Sequence, residues 1–207
     1  MKIKTMSLGP IQTNAYIISN DKKECIIVDP GDEGRRVNRY IRENELKPLA
    51  ILLTHAHFDH IGAVDDVRQA WNIPVYVHEY EQEWLGNPKY NGSAFFGLPP
   101  VVMKDADEVM KEEMTLTIGD FVLDVLHTPG HSPGSVTYYL KEANAIFSGD
   151  ILFYSGVGRT DLPGGSFDTL QESIQDKLYV LPEETIVYNG HGPETTIGFE
   201  KMNNPYV

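Results

Sequence analysis

Short apolar bursts separated by turn residues dominate the first half of the chain. Residues 3–8, 15–19 and 25–29 alternate or run apolar, and Gly9-Pro10 and Ser19-Asn20-Asp21 punctuate them, which predicts three strands. A 3.6-residue period over about 33–44, with Val37, Tyr40 and Ile41 on one face, predicts a helix. A short apolar strand follows at 50–53, a helix over about 62–71 and a strand at 75–77. Residues 87–100 are rich in Gly, Pro and Asn and carry the aromatics Tyr90, Phe95 and Phe96. They read either as a lid beside a site or as a packed surface loop. The second half repeats the scheme: strands near 114–118, 121–126, 135–140, 145–147 and 185–188, and a helix over about 167–178. Sheets with helices at their periphery suggest an α/β fold, an αββα sandwich of two mixed sheets flanked by helices. The pattern alone leaves other α/β arrangements open.

At 207 residues and 41% hydrophobic content, one domain covering 1–207 is expected, with a core that needs no disulfide staples. The lone Cys25 lies in the apolar run Glu24-Cys25-Ile26-Ile27-Val28 and reads as a small core residue. The N-terminus lacks the long apolar run of a signal peptide, and no segment reads as membrane-spanning, so the cytoplasm is the expected compartment. Seventeen Lys and Arg face thirty Asp and Glu, a formal net charge of −13. So acidic a chain repels phosphate backbones, which argues against nucleic acid as a partner. A small-molecule substrate is expected; oligomeric state is not legible.

The densest chemistry is Thr54-His55-Ala56-His57-Phe58-Asp59-His60, directly after an apolar strand. His55 and His57 are two apart, so an extended backbone puts both on one side. The turn into a helix then redirects Asp59 and His60. Three imidazoles and a carboxylate in six residues are costly to bury without a partner, and together they suit zinc, iron or manganese. Three more candidates stand at the ends of later strands. His131 lies in Thr128-Pro129-Gly130-His131-Ser132-Pro133-Gly134, Asp150 in Ser148-Gly149-Asp150, and His191 in Asn189-Gly190-His191-Gly192. In each, turn residues bring the backbone close and aim one ligand from a rigid strand end.

The pattern His-x-His-x-Asp-His followed by His, Asp and His on successive strand ends resembles the metallo-β-lactamase superfamily. Within it, His127-Thr128-Pro129-Gly130-His131-Ser132-Pro133-Gly134-Ser135, the run Gly158-Arg159-Thr160-Asp161-Leu162-Pro163-Gly164-Gly165 and Gly190-His191-Gly192-Pro193 resemble a short bacterial branch of the glyoxalase II group. The resemblance implies the αββα fold and two divalent metals, zinc first, with iron or manganese as alternatives. It implies His55, His57 and His131 on one metal, Asp59, His60 and His191 on the other, and Asp150 bridging them. Asp59 and Asp150 are the expected catalytic groups. Two departures stand out. The helical C-terminal extension of longer glyoxalase II enzymes is not expected here, and Asn189 stands where many relatives have proline.

The implied activity is hydrolysis of thioesters such as S-2-hydroxyacylglutathione, with a metal-held hydroxide attacking the carbonyl. A thiolate leaving group, of ordinary pKa about 8.5, needs little help from a general acid. An iron-dependent persulfide dioxygenase and a lactonase are the alternatives, the latter calling for a proton donor such as Tyr154 or Tyr188. Arg159 is the candidate to meet a substrate carboxylate, against an ion pair with Asp161. Phe153 and Tyr154 are candidate pocket aromatics, His127 reads as structural, and His78 as a surface or packing residue.

Overall fold

The computed structural model describes residues 1–95 and 99–207 and divides into two compact units, Met1–Lys111 with Ile118–Asp120, and Glu112–Thr117 with Phe121–Val207. Phe96, one of the loop aromatics singled out in the sequence, lies outside the described residues.

The first unit holds a six-stranded sheet. In spatial and chain order it runs β1 (Lys2–Leu8), β2 (Thr13–Ser19), β3 (Glu24–Val28), β4 (Lys47–Leu52), β5 (Val75–His78) and β6 (Glu108–Met110). The β1–β3 strands pair antiparallel and β3–β6 pair parallel, so the sheet is mixed. Every residue of β2 is buried, in keeping with a near-continuous apolar run rather than a strict alternation. Helices α1 (Gly34–Glu43) and α3 (Val64–Trp71) close the core with Val37, Ile41, Val64 and Val67 against Ile27, Ile51 and Val75.

The second unit's sheet has the order β14 (Thr195–Thr196), β13 (Ile186–Asn189), β10 (Ala145–Gly149), β9 (Val136–Leu140), β8 (Phe121–His127) and β7 (Met114–Ile118). Strands β10 and β13 pair parallel, and β8–β9, β9–β10 and β13–β14 pair antiparallel. A small ribbon of β11 (Leu152–Phe153) and β12 (Gly156–Val157) follows Asp150. Helices α4 (Phe167–Ser173) and α5 (Ile197–Asn203) pack Leu170 and Ile197 with Ile146 and Val187. Two mixed sheets, each with its own helices, are the layers the expected fold class requires.

Some expectations need correction. The helix predicted over about 62–71 is α3, which starts at Val64, and a separate short helix, α2 (Phe58–Ile61), precedes it. The break falls at Gly62, where a Cβ would stand 2.3 Å from the Gly31 carbonyl oxygen. The strand predicted to reach Asp29 stops at Val28, because Asp29 turns into the left-handed region at φ 49°. The helix predicted over 167–178 is α4 followed by a π-helical turn, Ile174–Leu178. Elements β6, β11, β12, β14 and α5 were not anticipated. The four strands have two or three residues each, too few to show a period. In the 87–100 region the described residues are tied down: buried Asn91 donates to the carbonyls of Trp84 and Val101, and its own carbonyl accepts from the Phe58 N–H.

Candidate metal centre

In the first unit, β4 delivers the chain into Thr54–His57 and α2 carries it onward, so the ligand cluster starts from a buried strand end. His55, His57 and His60 are all buried, and Asp59 is largely so. The rings of His55 and His57 lie 4.8 Å apart and those of His55 and His60 4.1 Å. His55 and His57 do share a side, as the two-residue spacing requires.

Asp29, which the sequence reading passed over, organises this half. Its Oδ1 accepts the Thr54 N–H at 2.8 Å and its Oδ2 accepts the Thr54 hydroxyl at 2.5 Å. His60 Nδ1 lies 2.9 Å from the same Oδ2. A carboxylate only accepts, so His60 is protonated on Nδ1. That turns its Nε2 toward Asp59 Oδ2, 3.6 Å away. The Thr54 hydroxyl hydrogen is committed to Asp29, so its oxygen accepts from His55 Nδ1 at 3.1 Å. One buried carboxylate thereby sets the tautomer of two histidines and presents Nε2 of each as a ligand. The ligand atoms of Asp29, His55 and His60 all lie within 4.8 Å of one another. Two further contacts brace the loop. Buried Glu81 accepts the Ala56 N–H at 2.5 Å, and Thr13 donates to Asp59 Oδ2 at 2.8 Å.

In the second unit the ligands come singly from different strand ends. His131 follows β8, and its Nδ1 donates to the Arg159 carbonyl at 2.8 Å. Its Nε2 lies 3.7 Å from Asp150 Oδ2. His191 follows β13, with Nε2 3.4 Å from the same Oδ2. Asp150 thus stands between the two histidines of its unit. The rings of Phe153 and His191 meet nearly at right angles, with centroids 6.1 Å apart. The Asn189 side chain donates to the Pro193 carbonyl at 2.7 Å, so the residue that stands in place of proline ties down the His191 turn.

The donor chemistry fits a divalent first-row metal: imidazoles, those of His55, His60 and His131 presenting Nε2, and partly buried carboxylates, with no thiolate among them. Cys25 is fully buried, and burial pushes its thiol up to about 12, consistent with the core residue expected.

The other singled-out residues divide. Arg159 makes a two-point ion pair with Asp161, both contacts at 2.7 Å, and this bond holds the Asp161 carboxyl down at about 2. Tyr154 stacks on Phe199 at 5.0 Å, and Tyr188 on Phe147 at 5.3 Å. His127 holds the Pro133 carbonyl at 2.9 Å, which fits its structural reading. His78 is buried rather than at the surface, and it caps the 3-10 helix Glu79–Trp84. Both Asp29 and Glu81 escaped notice. Asp29 reads in the sequence as the last residue of the strand 25–29, yet it stands directly after a strand, as Asp150 does.

The sequence model described as the metallo-beta-lactamase superfamily matches residues 8–191. The chain is 53% identical to the probable metallo-hydrolase YqgX of Bacillus subtilis, over all of this chain and 98% of the relative. It is 36% identical to the hydroxyacylglutathione hydrolase GloC of Haemophilus influenzae, again over all of this chain and 98% of the relative. Among solved structures, the BLEG-1 B3 metallo-beta-lactamase aligns over 99% of both chains with a TM-score of 0.98 and 52% identity. TTHA1623 in a di-iron-bound form aligns over 99% of this chain and 100% of the other, with a TM-score of 0.86 and 41% identity. These matches establish the expected fold class, and this chain belongs to the metallo-beta-lactamase superfamily as a metal-dependent hydrolase.

Proposed function

We propose that the protein is a thioesterase of the glyoxalase II type, working through two metal ions. In this reading His55, His57 and His131 would hold one ion, Asp59, His60 and His191 the other, and Asp150 would serve both. The supporting observation is the set of histidines locked as Nε2 ligands by Asp29, Thr54 and the Arg159 carbonyl. Such locking belongs to a site built for metal rather than to polar turns. The thioester assignment draws on the relative named hydroxyacylglutathione hydrolase GloC. When bound, the ions would supply an ionised water as nucleophile and a Lewis acid for the carbonyl oxygen.

The chain's own residues do the rest. Thr13 fixes the Asp59 carboxylate through Oδ2. Asp150, between His131 and His191, is placed to orient the nucleophile. Tyr154 and Tyr188, the donors a lactonase would want, each stack on a phenylalanine. A thiolate leaves without a proton donor, and that suits this site better than an alkoxide. Zinc is the proposed metal and the cytoplasm the proposed compartment. Arg159 and Phe153 remain the proposed substrate contacts.

Metal analysis of protein purified without chelator, paired with a lactoyl-glutathione assay, tests this. About two metals per chain with thiol release is the expected result. One iron per chain, no thiol release and oxygen uptake with a persulfide would instead identify the dioxygenase. A second reading, β-lactam hydrolysis, is favoured by the 52% identity to the BLEG-1 B3 metallo-beta-lactamase. A chromogenic cephalosporin turned over faster than the thioester would establish it.

A further inference from the structure

The first unit contains a cavity of about 290 Å³ that reaches the Asp59 carboxylate. Its walls include Leu8, Ile11, Phe58 and Val101. Leu8 and Ile11 bracket the tip of the β1–β2 hairpin, and Phe58 opens α2 one residue before Asp59. Among the described residues, the only charged side chains on its wall are Asp32 and Asp59, both acidic. The volume sits at the small end of ligand pockets, large enough for a short chain and too small for a whole thiol cofactor.

We infer that this cavity holds the acyl group of the substrate and selects short, neutral, aliphatic acyl chains. The inference rests on the thioesterase reading and names its substrate class. A thioester has two arms on the reacting carbon. The thiol carriers of cells are polar and mostly anionic, and the Asp32 carboxylate beside the cavity repels such an arm. An aliphatic acyl chain gains from apolar walls instead, and each methylene taken from water strengthens binding. A chain seated against Phe58 and Leu8 starts beside Asp59, so its carbonyl end lies next to a proposed metal ligand. The same wall disfavours acyl groups that end in a carboxylate.

The test uses the metal-loaded, full-length protein with S-acyl N-acetylcysteamine thioesters, a neutral thiol common to the whole series. From acetyl to pentanoyl, kcat/KM should rise about fourfold per methylene. The glutaryl thioester should react at least about tenfold slower than the pentanoyl one. Ile11→Asp, at an exposed hairpin position, should lower the pentanoyl-to-acetyl ratio about tenfold or more. A second readout does not depend on turnover: the methyl resonances of Leu8, Ile11 and Val101 should shift when an unreactive pentyl ketone is added. A flat series, or a ratio untouched by Ile11→Asp, overturns the inference and leaves the thioesterase reading standing. No thiol release from any thioester overturns that reading. In that case unshifted methyl resonances would overturn the cavity's role as well.

Discussion

The two units supply the candidate metal ligands by opposite strategies. The first concentrates four candidates in the six residues from His55 to His60 and braces them with buried side-chain acids, Asp29 and Glu81. The second scatters His131, Asp150 and His191 over three strand ends and braces them with backbone, the Arg159 carbonyl among it. A contiguous loop places several ligands at once but must have its tautomers set from outside. A strand end needs little support beyond its own sheet. One device is common to both. A Cβ on Gly31 would stand 1.6 Å from the Asp59 carbonyl oxygen, and one on Gly158 would stand 1.8 Å from that of Asp150. Each unit presses a glycine against the backbone of its acidic ligand, so the carboxylate's position is fixed from below.

The largest effects should come from breaking that shared device. Gly31→Ala and Gly158→Ala each force backbone apart, and each should cost more than about 3 kcal/mol in urea unfolding and abolish hydrolysis. Gly192→Ala is the control. It sits beside His191 at φ 80° with nothing within 4 Å of the added carbon. It should lose only the left-handed backbone cost, about 1–2 kcal/mol. Equal losses at all three positions would mean that packing against the ligand backbone is not what matters.

Next in size, and confined to the first unit, is Asp29→Asn. The substitution keeps the volume but sets an amide N–H₂ against groups that need an acceptor. A buried donor without its acceptor costs about 1–3 kcal/mol, and losing a partner that orients a metal ligand lowers metal affinity about 10–100-fold. Competition with a chromophoric chelator reads the affinity, and histidine nitrogen shifts read the tautomers of His55 and His60. Unchanged tautomers would show that Asp29 is a packing residue. Glu81→Gln keeps an acceptor for the Ala56 N–H and should cost less, on the order of 1 kcal/mol.

These residues also mark where the sequence was readable. His55, His57, Asp59 and His60 were legible because four polar donors after the apolar run 50–53 have no structural excuse. His131, Asp150 and His191 were legible because glycine turns flank each at a strand end. Asp29 has the same placement but is a single carboxylate that reads as the last residue of the strand 25–29. Its partners, Thr54 and His60, lie 25 and 31 residues away. Sequence pattern carries local periodicity and not such long-range pairing. The same limit hid the close approach of Gly62 to the backbone of Gly31, where a Cβ on Gly62 would stand 2.3 Å from the carbonyl oxygen.

The smallest effect sharpens the contrast from the second unit's side. Arg159 contributes two things in different places. Its carbonyl holds His131, and its guanidinium holds Asp161. Arg159→Ala deletes only the second. The Arg159–Asp161 pair is exposed, with half of the guanidinium side chain and two-thirds of the carboxylate open to solvent, and such pairs add little stability. Metal content and urea midpoint should therefore match the unaltered protein, in contrast to Asp29→Asn. The Asp161 carboxyl, lowered to about 2, should return toward its ordinary value once the guanidinium is gone. Because its folded pKa is depressed, whatever stability the pair gives is present above the unfolded pKa of about 4 and is lost as pH falls toward 2. Kinetics decide the rest. If the guanidinium can leave Asp161 for a substrate, KM should rise for thioesters with a carboxylate in the thiol arm, lactoyl-glutathione first, and stay constant for N-acetylcysteamine thioesters. A KM unchanged for both would leave Arg159 to its backbone, as the residue that aims His131.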